Sequence, residues 1–429
     1  MSHKGRLHII SVPHNPSNKA YSHCAFSQKA RKLAYMGEFV GYETYHYGNE
    51  LSDVKCSEHI SVTTEQELRE TYPEFGTSTN VANWGSHQYT YKLFCLRAEH
   101  EIRKRFLPND IICYVFGPGL RELYDSLQDL EGAIHCESGI GYYYPYAPYK
   151  VYESPGLMHF NLGIAESKYY QWDAMTEEQK AARPLDANTE IHHSQMQWFD
   201  AVIPNSFDLE DFEYSETNDD YFFYLGRVMP GKGVEIAMRV AYSLGKKLLV
   251  AGKGDFEQVM GFKAWDNVEI LGEVGIEERK KLLSNCIALL CLSTYPEPFG
   301  GVHIEAALSG KPVISTDIGA YPHTVKHGLT GYRCRLNVFE QAKWAAKNIG
   351  NIEPSTCRKW GQRFINERVA LSYDEYFSSV IKANENGKSP YWIMNEEREN
   401  LNWLDDSLGW LDDEIINPKD LSTDGQTKE

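Results

Sequence analysis

Residues 289–319 read LLCLSTYPEPFGGVHIEAALSGKPVISTDIG, and this stretch decides the fold. It opens with an apolar run that predicts a buried strand, which Pro296 and Pro298 end. A short helix is expected over Val302–Leu308, and a second buried strand over Pro312–Ser315. The order of strand, loop, helix and strand predicts one βαβ unit of a parallel sheet.

Two glutamates stand eight positions apart in this stretch. Glu297 lies in the predicted loop, and Glu305 lies one turn inside the predicted helix. Gly300 and Gly301 fall where the helix begins, where unpaired backbone N–H groups and the helix dipole favour an anion or a ring of hydroxyls. On spacing alone, a binding site is no better supported than the alternative in which Glu297 is a solvated loop residue and Glu305 is an ordinary helix former.

The sequence EPFGGVHIE followed by AALSGKPVIST closely resembles the E-x7-E signature of retaining glycosyltransferase family four. Three upstream segments occur in the order and spacing of that family: FFYLGRVMPGKG at 222–233, LLVAGKGD at 248–255 and VEILGEV at 268–274. HGLTGYR at 327–333 follows downstream. The resemblance is strong over residues 199–377 and faint before them. It implies an α/β protein of GT-B type, with two Rossmann-like domains whose parallel sheets face each other across a cleft.

The length of 429 residues suits two domains and a tail. We expect an N-terminal Rossmann-like, acceptor-binding domain over 1–204 and a nucleotide-sugar-binding domain over 205–372. Residues 373–429 are expected to form a crossover helix and an acidic tail. The last 45 residues hold 12 acidic and 4 basic residues, and WLDD occurs twice, at 403–406 and 410–413. This composition fits a solvated tail, and equally one that packs on the protein or binds a partner.

Composition bounds the class of protein and its compartment. A net charge of −17 argues against general nucleic-acid binding. Nine cysteines without a CxxC pair are typical of buried thiols in a reducing compartment, and no apolar run is long enough to span a bilayer. We therefore expect a cytoplasmic protein. A basic helix predicted over 89–106 keeps peripheral membrane contact as a less favoured alternative.

The donor-binding roles follow from the resemblance together with the chemistry of the side chains. Arg227 and Lys232 would offset the charge of a diphosphate leaving group. By resemblance, Glu297 would hold the transferred sugar and Glu305 the ribose hydroxyls. The remaining donor contacts are expected from strand-end turns and the start of the short helix: Gly252, Gly254, Gly272, Val274, Phe299, Gly300, Gly301 and Val302. His135, at the end of a predicted strand, best matches a family histidine that touches the donor sugar, although a core position also fits it.

The acceptor is expected to bind the first domain. A tyrosine-rich stretch, Ser138–Ser154, follows a predicted strand, and tyrosine rings present flat faces that suit sugars. The loop after the first predicted strand adds polar side chains. The expected acceptor contacts are His14, Asn15, Asn18, Tyr142, Tyr143 and Tyr146. Their neutral, aromatic character predicts a glycan, a sugar-lipid or a small molecule as the acceptor.

These features predict a retaining glycosyltransferase that moves a sugar from a UDP- or GDP-sugar to an acceptor hydroxyl. No DxD-like motif follows a strand in the matching region, so we expect neither a metal ion nor another cofactor; Arg227, Lys232 and the helix start would neutralise the leaving group. The alternatives are a GT-B sugar-nucleotide epimerase, a phosphorylase and a non-catalytic nucleotide-sugar-binding protein.

Overall fold

We analysed a computed structural model of the chain, which describes residues 3–22, 24–76, 85–182, 200–336, 339–386 and 408–416. The chain divides into two compact units, residues 1–203 with 370–401 and residues 204–369 with 402–429. The helix Asn366–Asn386 begins in the second unit and continues in the first. Residues 373–429, expected to form a crossover helix and an acidic tail, therefore contribute to both units.

The first unit contains a seven-stranded, all-parallel sheet. Its strands are β1 (Arg6–Ile10), β2 (Glu43–Asn49), β3 (Glu58–Thr63), β4 (Ile111–Tyr114), β5 (Ile134–Ile140), β6 (Tyr149–Tyr152) and β7 (Ala201–Val202). Its helices are α1 (Ala25–Phe39), α2 (Glu65–Thr71), α3 (Tyr89–Arg105), α4 (Arg121–Ser126), α5 (Pro155–Asp173) and α6 (Glu177–Ala182). The strand order is β3-β2-β1-β4-β5-β6-β7, which is a doubly wound arrangement.

The central strands of this sheet form where the sequence places continuous apolar runs. Every residue of β4 is buried, as expected for a strand covered on both faces. The tyrosine-rich stretch Ser138–Ser154, predicted as one loop, is a loop only in its middle. Its first residues complete β5, and its last residues form β6, which pairs with β5 through Cys136 and Tyr149.

The second unit contains a six-stranded parallel sheet. Its strands are β8 (Tyr221–Leu225), β9 (Lys247–Ala251), β10 (Val268–Gly272), β11 (Leu289–Cys291), β12 (Val313–Thr316) and β13 (Gly331–Cys334). The helices are α7 (Val234–Ser243), α8 (Phe256–Met260), α9 (Ile276–Asn285), α10 (Val302–Leu308), α11 (Tyr321–Thr324), α12 (Phe339–Asn348), α13 (Pro354–Gly361) and α14 (Asn366–Asn386). The strand order is β10-β9-β8-β11-β12-β13, and β11, α10 and β12 form the βαβ unit predicted from residues 289–319.

The two faces of the second sheet carry different helices. Alternate strand residues such as Tyr224 and Leu290 pack with α7, α8 and α12 in one apolar cluster. The intervening residues, such as Phe223 and Leu289, pack with α9 and α10 in another. Because side chains alternate across a strand, the side chains of α10 lie on the opposite face from those of α7.

Part of the acidic tail packs on the second unit. Residues Leu408–Asp412 form a short 3₁₀ helix, and the Trp410 side chain is 2% exposed, with its ring centroid 5.1 Å from that of Trp360. The Arg368 guanidinium pairs with Asp413 at 2.8 Å. The second WLDD sequence is thus docked, whereas the first, at 403–406, lies outside the described residues.

Candidate functional site

A buried ion pair joins the two loops that the sequence singled out. Lys232 Nζ lies 2.6 Å from Glu297 Oε1, and both side chains are mostly buried, at 16% and 11% exposure. Lys232 stands in the loop between β8 and α7, and Glu297 in the loop between β11 and α10. The structure therefore brings together two predicted catalytic residues that are 65 positions apart.

Backbone contacts hold these two loops against each other. The Gly231 carbonyl accepts hydrogen bonds from the Thr294 amide at 2.8 Å and the Ser293 hydroxyl at 2.9 Å. Lys232 Nζ also lies 4.8 Å from the centre of the Tyr295 ring, within range of a cation–π contact. The backbone contacts of Gly231 therefore fix the loop, and the contacts with Tyr295 and Glu297 fix the ammonium group of Lys232.

Arg227 supplies a second cation at the end of β8. Its side chain is exposed and forms no ion pair with the residues that the structure describes. The Tyr224 hydroxyl donates to the Arg227 carbonyl at 2.9 Å, and burial, together with the nearby Glu297 carboxylate, raises the pKa of that tyrosine. Arg227 is thus available for an external anion, whereas Lys232 already holds Glu297.

Glu305 faces a cation that the sequence did not reveal. Arg279 Nε, on α9, lies 3.6 Å from Glu305 Oε2. That distance allows charge attraction without a hydrogen bond, and Oε2 is a buried oxygen with no hydrogen-bond partner among the described residues. Glu305 therefore keeps acceptor capacity for an incoming donor group.

His303, in the first turn of α10, is another unsatisfied buried group. It is 1% exposed, and neither ring nitrogen has a hydrogen-bond partner among the described residues. Its ring centroid lies 5.8 Å from that of Phe299 and 5.2 Å from that of Tyr321. Burial lowers the pKa of His303 to about 3, so the imidazole is neutral near pH 7.

Two of the glycines predicted to let a ligand approach closely, Gly252 and Gly254, pack against the backbone of the chain itself. A Cβ atom added at Gly252 would lie 1.9 Å from the Gly226 carbonyl oxygen, and one at Gly254 would lie 2.5 Å from the Val228 carbonyl oxygen. The Val228 amide in turn donates to the Lys253 carbonyl at 2.8 Å. These glycines therefore serve first to join the ends of β8 and β9.

The side chains of two other predicted donor contacts belong to the protein interior. Val274 is 5% exposed and packs in the apolar cluster beneath α9. Phe299 is 1% exposed and packs against Phe207 and Phe364. Burial leaves the backbone of these two residues for contact with a donor, and their role as donor contacts stays a prediction.

The remaining predicted donor residues lie at loop ends. Gly300 adopts the left-handed conformation, with φ at 75°, and precedes Gly301, the N-cap of α10. Val302 begins α10 and is half-buried, and Gly272 ends β10. A Cβ atom added at Gly272 would meet nothing within 4 Å, so that position faces open space.

In the first unit, Glu137 organises the tyrosine-rich loop. It is fully buried, and its carboxylate accepts hydrogen bonds from the Tyr142 hydroxyl at 3.0 Å, from the Ala147 amide at 2.7 Å and from the Tyr146 amide. Burial raises the pKa of Glu137 to about 7, against the effect of these hydrogen bonds. The Tyr146 hydroxyl donates to the Gly117 carbonyl at 3.1 Å, so two of the three predicted acceptor tyrosines hold the loop in place.

Tyr143 is the member of that set whose hydroxyl has no such internal role in the described structure. Its ring is half-buried and lies 5.0 Å from the Phe160 ring. The neighbouring Tyr144, exposed at 55%, carries Lys168 Nζ 4.2 Å from its ring centre. The surface open to a ligand in this loop is therefore formed by Tyr143 and Tyr144.

The polar residues of the loop after β1 have local surroundings of two kinds. His14 and Asn15 are buried, and burial lowers the pKa of His14 to about 3. Asn18 caps a 3₁₀ turn by accepting from the Ala20 amide, and donates to the Leu51 carbonyl at 2.8 Å. The predicted acceptor contacts of His14, Asn15 and Asn18 are therefore limited by local structural roles.

His135 occupies a core position. It is 6% exposed, and its Nδ1 atom lies 2.9 Å from the Tyr114 hydroxyl. Its ring also packs edge-on against Tyr124 at 5.3 Å, and burial lowers the pKa of the histidine to about 4. Burial and the hydrogen bond to Tyr114 direct the side chain into the first unit, which is the core position that the sequence also allowed, and its contact with a donor sugar stays a prediction.

Acidic partners neutralise most of the basic residues of α3. Four of its five cationic side chains form an ion pair at 3.0 Å or less: Arg97 with Glu67, Arg103 with Asp129, Lys104 with Glu101, and Arg105 with Glu58. None of the described helices is long and apolar enough to cross a membrane. Among the described residues, no three His, Cys, Asp or Glu side chains come together as a set of metal ligands.

Part of the chain is similar to known glycosyltransferases. Residues 207–364 match the family model for Glycosyl transferases group 1. The chain is 28% identical over 167 residues to N-acetyl-alpha-D-glucosaminyl L-malate synthase of Bacillus anthracis, covering 36% of this chain and 43% of that protein. It is 32% identical over 171 residues to the O-antigen chain mannosyltransferase RfbU of Salmonella typhimurium, covering 37% and 46%. The chain thus spans less than half the length of these relatives.

Solved structures are similar over most of the chain. Sucrose-phosphate synthase from Thermosynechococcus elongatus matches with a TM-score of 0.57 and 18% identity, covering 88% of this chain and 100% of that chain. AviGT4, a glycosyltransferase involved in Avilamycin A biosynthesis, matches with a TM-score of 0.56 and 16% identity, covering 88% and 98%. The fold is therefore the GT-B fold, and the similarity to the Glycosyl transferases group 1 model extends over residues 207–364.

Proposed function

We propose that this protein is a retaining, metal-independent glycosyltransferase that moves a sugar from a nucleoside diphosphate sugar to an acceptor hydroxyl. The observation that carries the proposal is the buried pair of Lys232 and Glu297, 2.6 Å apart, within the segment that matches the group 1 family. A carboxylate and an ammonium group at the carboxyl ends of parallel strands stand where α/β folds bind their ligands.

The cations suit the charge that develops in this reaction. As the bond between the sugar carbon and the diphosphate oxygen breaks, the diphosphate leaves with the electron pair. The acceptor oxygen bonds to the sugar carbon and passes its proton to the departing diphosphate. Arg227 can form a forked pair of hydrogen bonds to diphosphate oxygens, and Lys232 can add a point charge. Cations fixed before the reaction stabilise the departing group without further rearrangement.

The carboxylates suit the hydroxyl groups of the donor. Glu305 has a buried oxygen without a hydrogen-bond partner among the described residues, and Arg279 keeps that side chain in place. Ribose hydroxyls donating to this oxygen would remove the cost of an unsatisfied buried acceptor. Glu297 would accept from the hydroxyls of the transferred sugar, close to its reacting carbon. UDP- and GDP-sugars are the donor class that we propose.

For the acceptor, we propose a neutral glycan, a sugar-lipid or a small molecule that contacts the first unit at Tyr143 and Tyr144. The supporting observation is that these two rings are accessible, whereas the hydroxyls of Tyr142 and Tyr146 are held by Glu137 and Gly117. A cytoplasmic location is part of the same proposal.

The test of the donor site compares three single variants for binding and for turnover. Thermal shift with a panel of nucleotide sugars selects a donor, and transfer is then assayed with that donor. We expect Glu305→Ala to weaken nucleotide diphosphate binding by about ten- to a hundredfold, since it removes a buried hydrogen-bond partner. Glu297→Ala should mainly lower turnover and keep nucleotide diphosphate affinity. Glu277→Ala, an exposed acid on α9, is the matched control.

The same assay separates the alternatives. A transferase releases a nucleoside diphosphate and a glycosylated acceptor, whereas an epimerase returns a nucleotide sugar and a phosphorylase yields a sugar phosphate. Binding of donors without turnover would identify a non-catalytic nucleotide-sugar-binding protein. Loss of transfer in EDTA that magnesium restores would overturn metal independence.

The test of the acceptor surface compares two tyrosines of one loop. Tyr143→Ala should abolish transfer and leave donor hydrolysis intact. Tyr146→Ala should lower the thermal stability of the first unit, because its hydroxyl and ring are internal contacts. Unchanged transfer in Tyr143→Ala would refute this acceptor surface and leave the donor site unaffected.

A further inference from the structure

A cavity of about 450 Å³ lies at the carboxyl end of the second sheet, and the proposed function does not use it. It is on the face covered by α7, α8 and α12, whereas Glu305 and Arg279 belong to α10 and α9 on the opposite face. Gly231 and Gly233 line it, but Lys232 between them does not and instead reaches Glu297. The cavity is therefore separate from the proposed donor site and adjoins the back of its lysine loop.

One wall of this cavity is apolar. Its hydrocarbon and thioether lining includes the side chains of Val234, Ile236, Val259, Met260, Leu292 and Ala342. The volume falls in the range of about 300 to 1,000 Å³ that is usual for small-molecule sites. An apolar group of a ligand would be removed from water here, which contributes favourably to binding.

The charged residues at this cavity are mainly cationic. Arg239 and Arg335 both line it, both are exposed, and neither forms an ion pair with a described residue. Arg239 is held by Phe339, whose ring centre lies 5.4 Å from the guanidinium carbon. Glu235 is the one carboxylate among the lining residues. In a chain whose net charge is −17, two guanidinium groups without carboxylate partners beside an apolar wall favour an anionic ligand.

We propose that this cavity binds a single-tailed amphipathic anion, in which an alkyl chain or an apolar ring ends in a carboxylate or a phosphate. The anionic head contacts Arg239 and Arg335, and the tail lies against Leu292 and its apolar neighbours. Such a ligand touches the backbone of the loop that carries Lys232. It therefore occupies a second site whose binding is measured independently of any transfer activity.

The experiment measures binding of four probes to the full chain by isothermal titration calorimetry. Octanoate and octyl phosphate carry both parts of the proposed ligand, 1-octanol lacks the charge, and inorganic phosphate lacks the tail. Three variants are compared with the unmodified protein. Arg239→Ala with Arg335→Ala removes the cations, and Val259→Trp fills the cavity from α8. Lys247→Ala removes an exposed cation at the amino end of β9 and serves as the control.

We expect the two amphipathic anions to bind at least about tenfold more tightly than 1-octanol or phosphate, because each control lacks one set of contacts. The arginine double variant should weaken both anions by about tenfold or more, since it removes charge-assisted hydrogen bonds. Val259→Trp should abolish their binding, and Lys247→Ala should leave it unchanged. A preference between octanoate and octyl phosphate identifies the head group.

Three results would overturn the proposal: equal affinity for octanoate and 1-octanol, unchanged binding in the arginine double variant, and unchanged binding in a folded Val259→Trp variant. Should Val259→Trp not fold, the arginine variant still decides, because both arginines are exposed and their loss leaves the core intact.

Discussion

The ion pair between Lys232 and Glu297 leads to a quantitative prediction about stability. At 2.6 Å, two unit charges attract by about 6 kcal/mol at an effective dielectric constant of about 20. Desolvation of two largely buried ions offsets several kcal/mol of this attraction. Lys232→Met leaves the Glu297 carboxylate buried without its partner, and we expect a loss of about 3 kcal/mol in the free energy of unfolding.

The double variant Lys232→Met/Glu297→Gln distinguishes the interaction between the two charges from the interaction of each side chain with the rest of the protein. With both charges removed, neither ion is left buried alone, so most of the loss should be recovered. We expect a coupling free energy of about 2 kcal/mol from the double-mutant cycle. The exposed pair of Lys247 and Glu269, 2.5 Å apart with side chains 55% and 50% exposed, provides the control cycle. Its coupling should stay below about 1 kcal/mol, because water screens it.

Differential scanning calorimetry of the full chain without ligands measures both cycles. A loss of about 3 kcal/mol corresponds to a fall of about 6–12 °C in the melting temperature of a unit of this size. The transition of the first unit should not move. If the coupling of Lys232 with Glu297 were no larger than that of the control pair, the ion pair would be screened and the reasoning from its burial would be refuted.

Three further predictions concern pH, a glycine and the docked tail. Burial lowers the pKa of His14, His46 and His303 to about 3. Below pH 6.5 the unfolded chain therefore binds protons that the folded chain does not. The free energy of unfolding should be constant above pH 6.5 and fall by about 1.4 kcal/mol per histidine for each pH unit below it. A melting temperature that is equal at pH 7.5 and 5.5 would contradict this. Gly252→Ala should prevent folding of the second unit, because the new Cβ would lie 1.9 Å from a carbonyl oxygen. The control Gly245→Ala, also at positive φ but with nothing within 4 Å, should lower the free energy of unfolding, measured by chemical denaturation, by only about 1–2 kcal/mol. Trp410→Ala should lower the free energy of unfolding by about 3–5 kcal/mol. Trp344→Ala, at a side chain that is 55% exposed, should change it by less than about 0.5 kcal/mol. Equal effects of the two substitutions would argue against docking of the tail.

Local signals in the sequence predicted the βαβ unit at 289–319 to within two residues at each element boundary. Its strands are short apolar runs, and prolines and glycines separate them from the helix, so chain-local physics is sufficient. Strands β3 and β6 were missed because they lack that signal. β3 has exposed residues at 58 and 61, and β6 is a run of four residues among tyrosines. Pairing with β2 and with β5 defines them, and such pairing is not visible in one segment.

The sequence predicted which loops carry the candidate site, because their order along the chain indicates the strand ends at which they lie. It did not predict the side-chain directions that packing determines. Loops at the carboxyl ends of parallel strands converge, so Lys232 and Glu297 could be expected to meet. The direction of a side chain within a loop depends on neighbours far along the chain, which is why Phe299 and His135 turned out to be core residues. Arg279 gave no signal, because it is one of several charged residues on α9 and its partner lies on α10.

The glycine contacts explain how the proposed site can be rigid before any ligand binds. A Cβ atom at Gly233 would lie 2.1 Å from the Leu292 carbonyl oxygen, so the loop that carries Lys232 packs directly on the strand end that leads to Glu297. Close backbone packing of this kind fixes the separation of the two charges more tightly than contacts between flexible side chains do. Under the proposed function, charge stabilisation depends on groups already held in position, so Gly233 would contribute through the geometry of Lys232 and Glu297.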